Sequence, residues 1–231
     1  MKGKKRWLVF AAVFLAAGAE LPAAASMDMG RTVRGNGDVV AVEREAQGFA
    51  TVTLHRMANV RIHPGEGYRV VLTTDSNLQD RIFAGTRGEG LTIAFDSPDG
   101  RPENVLPTYL SVDIFLPELR GVVLSNSGDV SVGSLDADSL RVTISGSGSV
   151  SVAEGSAESL IVTISGSGSV SAESLQAGAA SVVMQGRGNA RVWAKDSLSV
   201  TMHGAGNVAF RGDPAEIRVA NSAGGGRITR F

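Results

Sequence analysis

A repeat of about twenty residues dominates the second half of this 231-residue chain. Residues 139–153 read SLRVTISGSGSVSVA and residues 159–173 read SLIVTISGSGSVSAE, so that twelve of fifteen positions are identical. Self-similarity at a fixed period is the signature of a repeat architecture, in which each unit buries its apolar face against the next. Related segments occupy residues 122–132, 181–193, 199–210 and 216–229, which makes six copies between residue 121 and residue 231.

Apolar and polar residues alternate within each copy. In the copy at 139–153, Leu140, Val142 and Ile144 precede a Gly-Ser-Gly sequence, and Val150 and Val152 follow it. A period of two predicts strands, so each copy is two short strands around a corner. Antiparallel hairpins in a barrel or sandwich are one way to arrange these strands, but identical sequences in successive copies would not stabilise such hairpins. Identity in register favours parallel stacking at about 4.8 Å, and predicts an all-β, single-stranded parallel β-helix (β-solenoid) with about 20 residues per coil.

Glycine is abundant because of these corners. The chain has 29 glycines, close to twice the usual share of about 7%, yet no Gly-X-Y period that would indicate collagen. A content of 43% apolar against 19% charged residues argues against disorder. A corner stacked on another corner leaves little room for a Cβ, so we expect Gly146, Gly148, Gly166 and Gly168 to form a column of corners. The alternative, a phosphate-binding loop, lacks the required Gly-Lys-Ser/Thr.

The N-terminal half, residues 31–120, is less regular and is predicted to form atypical coils that cap the solenoid, since open coil edges recruit other chains. We expect a short helix through residues 77–81 capped by Asp75 or Ser76, and a loop at residues 97–108, which contain three prolines. A weak echo of the repeat occurs at residues 50–62. No domain boundary separates this half from the repeats, so residues 26–231 are predicted to be one domain. Strands are expected near residues 39–42, 51–54, 60–63, 69–73, 91–95 and 111–115.

Residues 1–25 are predicted to be a secretory signal peptide. Four basic residues within the first six positions precede an apolar run from Trp7 to Ala19, and Ala23-Ala24-Ala25 precede a cleavage site before Ser26. Retention as a membrane anchor is the alternative, but the run is short for a bilayer span. The chain has no cysteine, which excludes disulfides and a lipid-modified cysteine. We therefore expect an exported protein without a stable membrane span after cleavage.

The predicted mature chain is mildly acidic. Removing residues 1–25 takes away four of the 22 basic and one of the 23 acidic residues, which leaves a net charge of −4. Lys195 is the only lysine that remains, and no basic stripe of the kind that nucleic-acid binding requires is present. We therefore exclude nucleic acid as a partner.

Several segments occur in a characteristic order along the chain: Gly35-Asn36-Gly37, Phe49, Asp75-Ser76-Asn77-Leu78 with Arg81-Ile82, Leu91-Thr92-Ile93, Leu116-Pro117-Glu118-Leu119 and the Ser-Gly-Ser-Gly repeats. Together they resemble the bacterial head GIN domain family, whose members are described as heads of autotransporter adhesins and as a domain of unknown function. The resemblance implies a right-handed β-helix similar in shape to pectin-lyase-like proteins, without their catalytic residues and with a role in cell adhesion. It provides no catalytic positions to transfer. We expect no membrane translocator after the repeats, in contrast to a complete autotransporter.

The histidines do not form a metal-binding pattern. His55 and His63 are eight residues apart, and His203 lies at the corner of a late copy. We expect them to be solvated or corner residues. Hexapeptide-repeat acyltransferases use a histidine on a β-solenoid, but their period is six residues.

The carboxylates and serines give no catalytic pattern either. Asp129, Asp136 and Asp138 could in principle bind Ca²⁺ or act with an arginine as in β-helix lyases, but the next copy replaces Asp129 by Ser149. The Gly-Gly-x-Gly-x-Asp calcium repeat and the Gly-x-Ser-x-Gly nucleophile motif are missing from the sequence. We predict no catalytic residue, no cofactor-binding residue and no metal ligand.

The repeat predicts where the aromatic residues near the C-terminus lie. Trp193 and Phe210 are taken as equivalent to Val152 and are expected inside the core or at its edge. A sugar-stacking platform on an exposed face is the alternative for both. Phe231 is expected to help cap the end, since the 5% aromatic content does not fit an outer-membrane barrel.

Together these features predict a secreted, non-enzymatic β-solenoid of the bacterial envelope, in the periplasm or at the cell surface. It would bind an envelope protein or a surface glycan through one face lined by Ser, Thr, Asn and Arg. Two alternatives stay open: a polysaccharide-binding or polysaccharide-cleaving β-helix using Asp129 or Asp113 with an arginine, and a periplasmic scaffold or regulator of a membrane protein. End-to-end association of two solenoids is a further expectation.

Overall fold

The computed structural model describes residues 31–55, 58–95, 104–221 and 225–231. These residues contain seventeen strands and one 3₁₀ helix, η1 (Ser76–Arg81). The predicted signal peptide lies outside the described residues. The strands of the N-terminal half are β1 (Thr32–Arg34), β2 (Val39–Arg44), β3 (Thr51–Leu54), β4 (Asn59–Pro64), β5 (Arg69–Asp75), β6 (Ile82–Arg87), β7 (Gly90–Phe95), β8 (Asn104–Leu106) and β9 (Leu110–Leu116). The strands of the C-terminal half are β10 (Gly121–Leu124), β11 (Asp129–Gly146), β12 (Ser149–Gly166), β13 (Ser169–Gly186), β14 (Asn189–Met202), β15 (Asn207–Arg211), β16 (Glu216–Asn221) and β17 (Arg227–Arg230).

The C-terminal half is a β-solenoid of roughly 20 residues per coil, as the repeat predicts. The strands β11, β12 and β13 each run for 18 residues along one coil and pair in parallel with the next. The register is that of the repeat, because Val142 lies beside Val162 and Val162 beside Val182. The later shift to eighteen residues is taken up by register shifts between Ala172 and Ala179, outside the repeated strands.

Each coil has three sides. The two halves of every copy form two sides, and the variable link between copies forms a third, where Ser134 to Ala137 pair with Glu154 to Ala157. The link, which the sequence presents only as variable, is thus also β-structure. Between the sides, inward-facing residues stack into columns, of which Ile144, Ile164, Met184 and Met202 are each fully buried. One continuous hydrophobic cluster runs from Ala46 to Phe210.

The order of the coils in space differs from their order along the chain. The predicted echo, β3 and β4, pairs in register with β10 and the start of β11, so that Val52 lies beside Val122 and Val60 beside Val130. Its other side is covered by β7 and β9, which come later in the sequence, with Leu91 beside Val52. After β3 and β4, the chain therefore forms the neighbouring coil on one side with β7 and β9. It then passes to the other side of β3 and β4, where β10 and β11 continue the stack.

The N-terminal end is closed by antiparallel pairing. β2 pairs with β5, β5 with β9, and β6 with β7, all antiparallel, while η1, whose Leu78 is fully buried, packs against β2, β5 and β6. Two strands that the sequence does not predict, β1 and β8, form a separate parallel pair. The loop prediction is therefore wrong for Asn104–Leu106, and residues 97–103 lie outside the described part.

The glycine corners are confirmed, for two distinct reasons. Gly166 has φ of 134°, a conformation that other residues rarely adopt, and a Cβ on it would collide with the Gly146 carbonyl oxygen of the previous corner. Gly168 is required by close approach alone. A Cβ there would lie 2.6 Å from Ile144 Cγ2 and 2.7 Å from the Gly148 oxygen.

Asp75 stands at the start of η1, yet its side chain does not cap the helix. The capping prediction for this residue is therefore wrong. Its carboxylate is completely buried and accepts hydrogen bonds from Gly37 N (2.8 Å), Thr108 N (2.8 Å) and Thr108 Oγ1 (2.6 Å). Asp75 thus ties the segment before β2 and the segment before β9 to the same point.

Candidate functional site: a polar ladder face

Each of the long strands β11, β12, β13 and β14 begins on the same side of the coil, and the outer surface of that side carries two aligned rows of residues, all polar except Ala209, which we call the ladder face. Residues alternate with the buried valines, so their side chains point outward. The first row contains Asp129, Ser149, Ser169, Asn189 and Asn207, and the second contains Ser131, Ser151, Ser171, Arg191 and Ala209.

Several of these side chains contact their equivalents in the next coil. Ser149 Oγ donates to Asp129 Oδ1, and Asn207 Nδ2 donates to Asn189 Oδ1 at 3.1 Å. Arg191 Nη1 lies 3.4 Å from Glu173 Oε2. The hydrogen bonds align neighbouring side chains along the stack, so that the face presents hydroxyl and amide groups at the spacing of successive coils, with one guanidinium group at Arg191.

A shallow groove of about 510 Å³ follows the C-terminal part of the ladder face. Its polar walls come from three neighbouring coils. The lining polar residues are Ser169, Ser171, Asn189, Arg191 and Asn207. Because these groups both donate and accept hydrogen bonds, the groove suits an extended polar ligand.

The same sheet continues toward the N-terminal end, where its outer surface becomes charged and aromatic. Arg61 donates to both oxygens of Asp113 at 2.6 and 2.8 Å, and His63 Nε2 lies 3.4 Å from the same carboxylate. The hydrogen bonds from Arg61 outweigh partial burial and hold the pKa of Asp113 below its usual range. Phe115 is stacked between the His63 ring, at 4.5 Å, and the Arg69 guanidinium, at 3.9 Å.

Trp193 lies outside the core, in contrast to the prediction. Val192, and not Trp193, pairs with Phe210 and with Ala172, so the two aromatic residues are one position out of step. Phe210 is buried as expected, at 7% exposure. Trp193 is half-buried on the outer surface, and its ring carries the Arg211 guanidinium at 4.3 Å.

The sequence contains a spacing that distinguishes the position of Trp193 from that of Phe210. Trp193 follows Gly188 by five residues, whereas Phe210 follows Gly206 by only four. Counting from the corner glycine, rather than matching large residues, places Trp193 outward beside the ladder face. The open alternative of an exposed aromatic group thus applies to Trp193 and not to Phe210.

The other two sides have different chemistry. The neighbouring side presents an uncharged row of β-branched residues, which we call the threonine face: Thr53, Val123, Thr143, Thr163, Val183 and Thr201. The link side is acidic, with Asp136, Asp138, Glu158 and Asp196 around a depression of about 480 Å³ that also contains Lys195. Of these three surfaces, the ladder face is the one on which a single row of hydroxyl, amide and carboxylate side chains spans five successive coils.

The aspartates and histidines that the sequence offers for catalysis or metal binding do not come together at one site. Asp129 bonds to Ser149 on the ladder face, whereas Asp136 accepts hydrogen bonds from Ser156 N and Oγ, at 3.2 and 2.7 Å, on the link side. Asp113 and Asp129 lie on opposite sides of β4. His55 and His203 are exposed. Within the described residues, no group of three His, Cys, Asp or Glu side chains could hold a metal ion.

In the described part of the chain, no helix has the length and hydropathy of a membrane span. The fold and its outer surfaces define a β-solenoid that presents in-register polar ladders. The chain belongs to the family described as "Putative auto-transporter adhesin, head GIN domain", whose model matches residues 48–214. This match confirms the resemblance seen in the sequence.

Solved structures share the fold. A "putative adhesin" from Bacteroides fragilis is 19% identical, with a TM-score of 0.69 over 86% of this chain and all of the other. A "putative lipid binding protein" and a "putative adhesin" from Parabacteroides distasonis are each 20% identical, with TM-scores of 0.54 and 0.52 over 87% of this chain and all of theirs. No curated protein matches the chain.

Proposed function

We propose that this protein is an exported, non-enzymatic adhesin-like module of the bacterial envelope that binds an extended surface glycan along the ladder face. The observation that carries the proposal is the alignment of hydroxyl and amide groups at the spacing of successive coils, with the Arg191 guanidinium beside them. A linear polymer has repeating groups of its own, so many weak contacts can form together and add to a useful avidity.

Export is supported by the predicted signal peptide and by the description of the family as an adhesin. The absence of cysteine from the chain fits a protein whose stability comes from stacked coils rather than disulfides. The non-enzymatic character is supported by the dispersal of the acids. Asp113 is neutralised by Arg61 near the capped end, and Asp129 is engaged by Ser149 across β4 from it.

Replacing Asn189, Arg191 and Asn207 together by Ala is expected to weaken binding to glycans by about 100-fold. Each replacement removes a hydrogen-bonding group worth about 1 kcal/mol, and 1.4 kcal/mol is a factor of ten in affinity. The measurement is binding of the purified chain to an array of neutral and acidic bacterial and host polysaccharides, followed by titration against the strongest binders.

The matched control carries Thr143→Ala, Thr163→Ala and Thr201→Ala on the threonine face, and its affinity should stay within about twofold, since surface changes away from a contact are nearly neutral. Equal loss in both triple variants would contradict the ladder face as the binding site. A wild-type chain that binds no polysaccharide on the array would overturn the glycan proposal, and cleavage products released from any of them would overturn the non-enzymatic one.

A further inference from the structure

The C-terminal end of the solenoid exposes residues that belong to its core columns. Ile217 and Val219 of β16 are each 50% exposed, whereas Leu198 and Val200, which pair with them one coil earlier, are at 1% and 0%. The inward face of the last coil is therefore apolar but uncovered among the described residues.

The backbone edge at this end is also open. β16 pairs with β14 and β17 with β15, and neither has a second neighbour among the described strands. An open strand edge with apolar side chains is a template for pairing with another strand. At the opposite end the outermost strands have another arrangement, because β2 pairs antiparallel with β5 and β6 antiparallel with β7, and Leu78 of η1 is fully buried.

We infer that the C-terminal end is a docking surface for a second copy of this chain, with β16 pairing antiparallel to β16 of the partner subunit. An isologous contact of one patch with itself closes after two subunits. The result is a dimer of two solenoids joined end to end.

The charges of β16 select one register for this pairing. When Ile217 lies opposite Ile217 of the partner subunit, Glu216 lies opposite Arg218 of the partner subunit, and the same pair occurs a second time by symmetry. Directly opposed unlike charges stabilise antiparallel strands and like charges destabilise them. If the symmetry centre of the β16 pair moves from Ile217 to the next residue, the two Arg218 side chains lie opposite each other. The register centred on Ile217 is therefore favoured. Within one chain, Glu216 and Arg218 are already within ion-pair distance of each other.

The interface is small, since it involves one end of a thin solenoid. Contacts of this size are typical of weak and transient association, so the dimer should form in the micromolar to millimolar range. The test is sedimentation velocity of the full chain, in the form that cells produce, across that concentration range and without any polysaccharide. A concentration-dependent shift from monomer to dimer is the expected result, and a monomer throughout would overturn the inference.

Charge variants make the test specific. Arg218→Glu and Glu216→Arg should each weaken the dimer at least tenfold, because each opposes like charges twice. The double variant Glu216→Arg with Arg218→Glu should restore it, and so should an equimolar mixture of the two single variants. Arg141→Glu, an exposed charge change on the side of the threonine face, is the matched control and should leave association unchanged.

Single variants that dimerise as well as the wild type would overturn the proposed register. Thermal melting of each variant in the monomer range shows whether the fold is intact. The inference is separable from the proposed function, because the oligomeric state is measured without ligand, and a monomeric Arg218→Glu variant retains the whole ladder face.

Discussion

Gly168→Val is expected to lower the free energy of unfolding by about 3 kcal/mol or more, the upper range for forcing extra atoms into a packed interior. The added Cβ would meet Ile144 Cγ2 at 2.6 Å and the Gly148 oxygen at 2.7 Å. The carbonyl belongs to the corner below and cannot move without breaking the stack. Urea unfolding followed by circular dichroism measures the effect.

Gly67→Val is the matched control, since nothing lies within 4 Å of a Cβ built at that position. Its free energy of unfolding should stay within about 0.5 kcal/mol of the wild type. Indistinguishable unfolding midpoints for the two variants would show that corner stacking does not require glycine.

Asp75→Ala is expected to cost about 3 kcal/mol, because it leaves three donors without their acceptor at a buried site, each worth about 1–3 kcal/mol when unsatisfied. The donors are Gly37 N, Thr108 N and Thr108 Oγ1. Asp80→Ala provides the control, since Asp80 is exposed on η1. If the two alanine variants unfold at the same denaturant concentration, the buried carboxylate does not hold the cap together.

Asp75 also predicts how stability depends on pH. Burial alone would raise the pKa of this carboxyl, but the hydrogen bonds from Thr108 and Gly37 outweigh it and keep the pKa below its usual range. A carboxyl with a depressed pKa in the folded state binds protons more readily when unfolded. The contribution of Asp75 to the free energy of unfolding is therefore complete at pH values above its pKa in the unfolded chain, which is about 3.9. It is lost as the pH falls through the lower pKa of the folded state. Wild-type stability should decline below about pH 4, and Asp75→Asn should show a smaller decline over the same range.

The solenoid could be predicted because its information is local and repeated. Alternation identifies strands, and identity at twenty residues sets the register of Val142 beside Val162 without any knowledge of distant contacts. The role of Asp75 could not be predicted in this way, because its donors are 38 and 33 residues away and none of them belongs to a pattern. The prediction for Trp193 fails for another reason. The unit between Trp193 and Phe210 is shorter than the earlier units, so these two large residues do not occupy equivalent positions.

The residue types on the ladder face can be predicted from the sequence, but the extent of the face cannot. Outward Ser, Asn and Arg positions follow from the alternation, and the sequence indicates one polar face. The cluster of Arg61, Asp113 and Phe115 at its N-terminal end depends on β4, β5 and β9 becoming neighbours, and only the folded cap brings those strands together.

The exchanged order of the first coils bears on the sequence of steps in which the chain folds. In the C-terminal half each strand meets a partner synthesised about twenty residues earlier, so folding can advance by adding one coil at a time. Thr51 instead pairs with Gly121, seventy residues later, and with Gly90 on its other side. Closing loops of that length is slower than closing loops of twenty residues. The first coil is therefore expected to stay unpaired until the later strands on both of its sides are available.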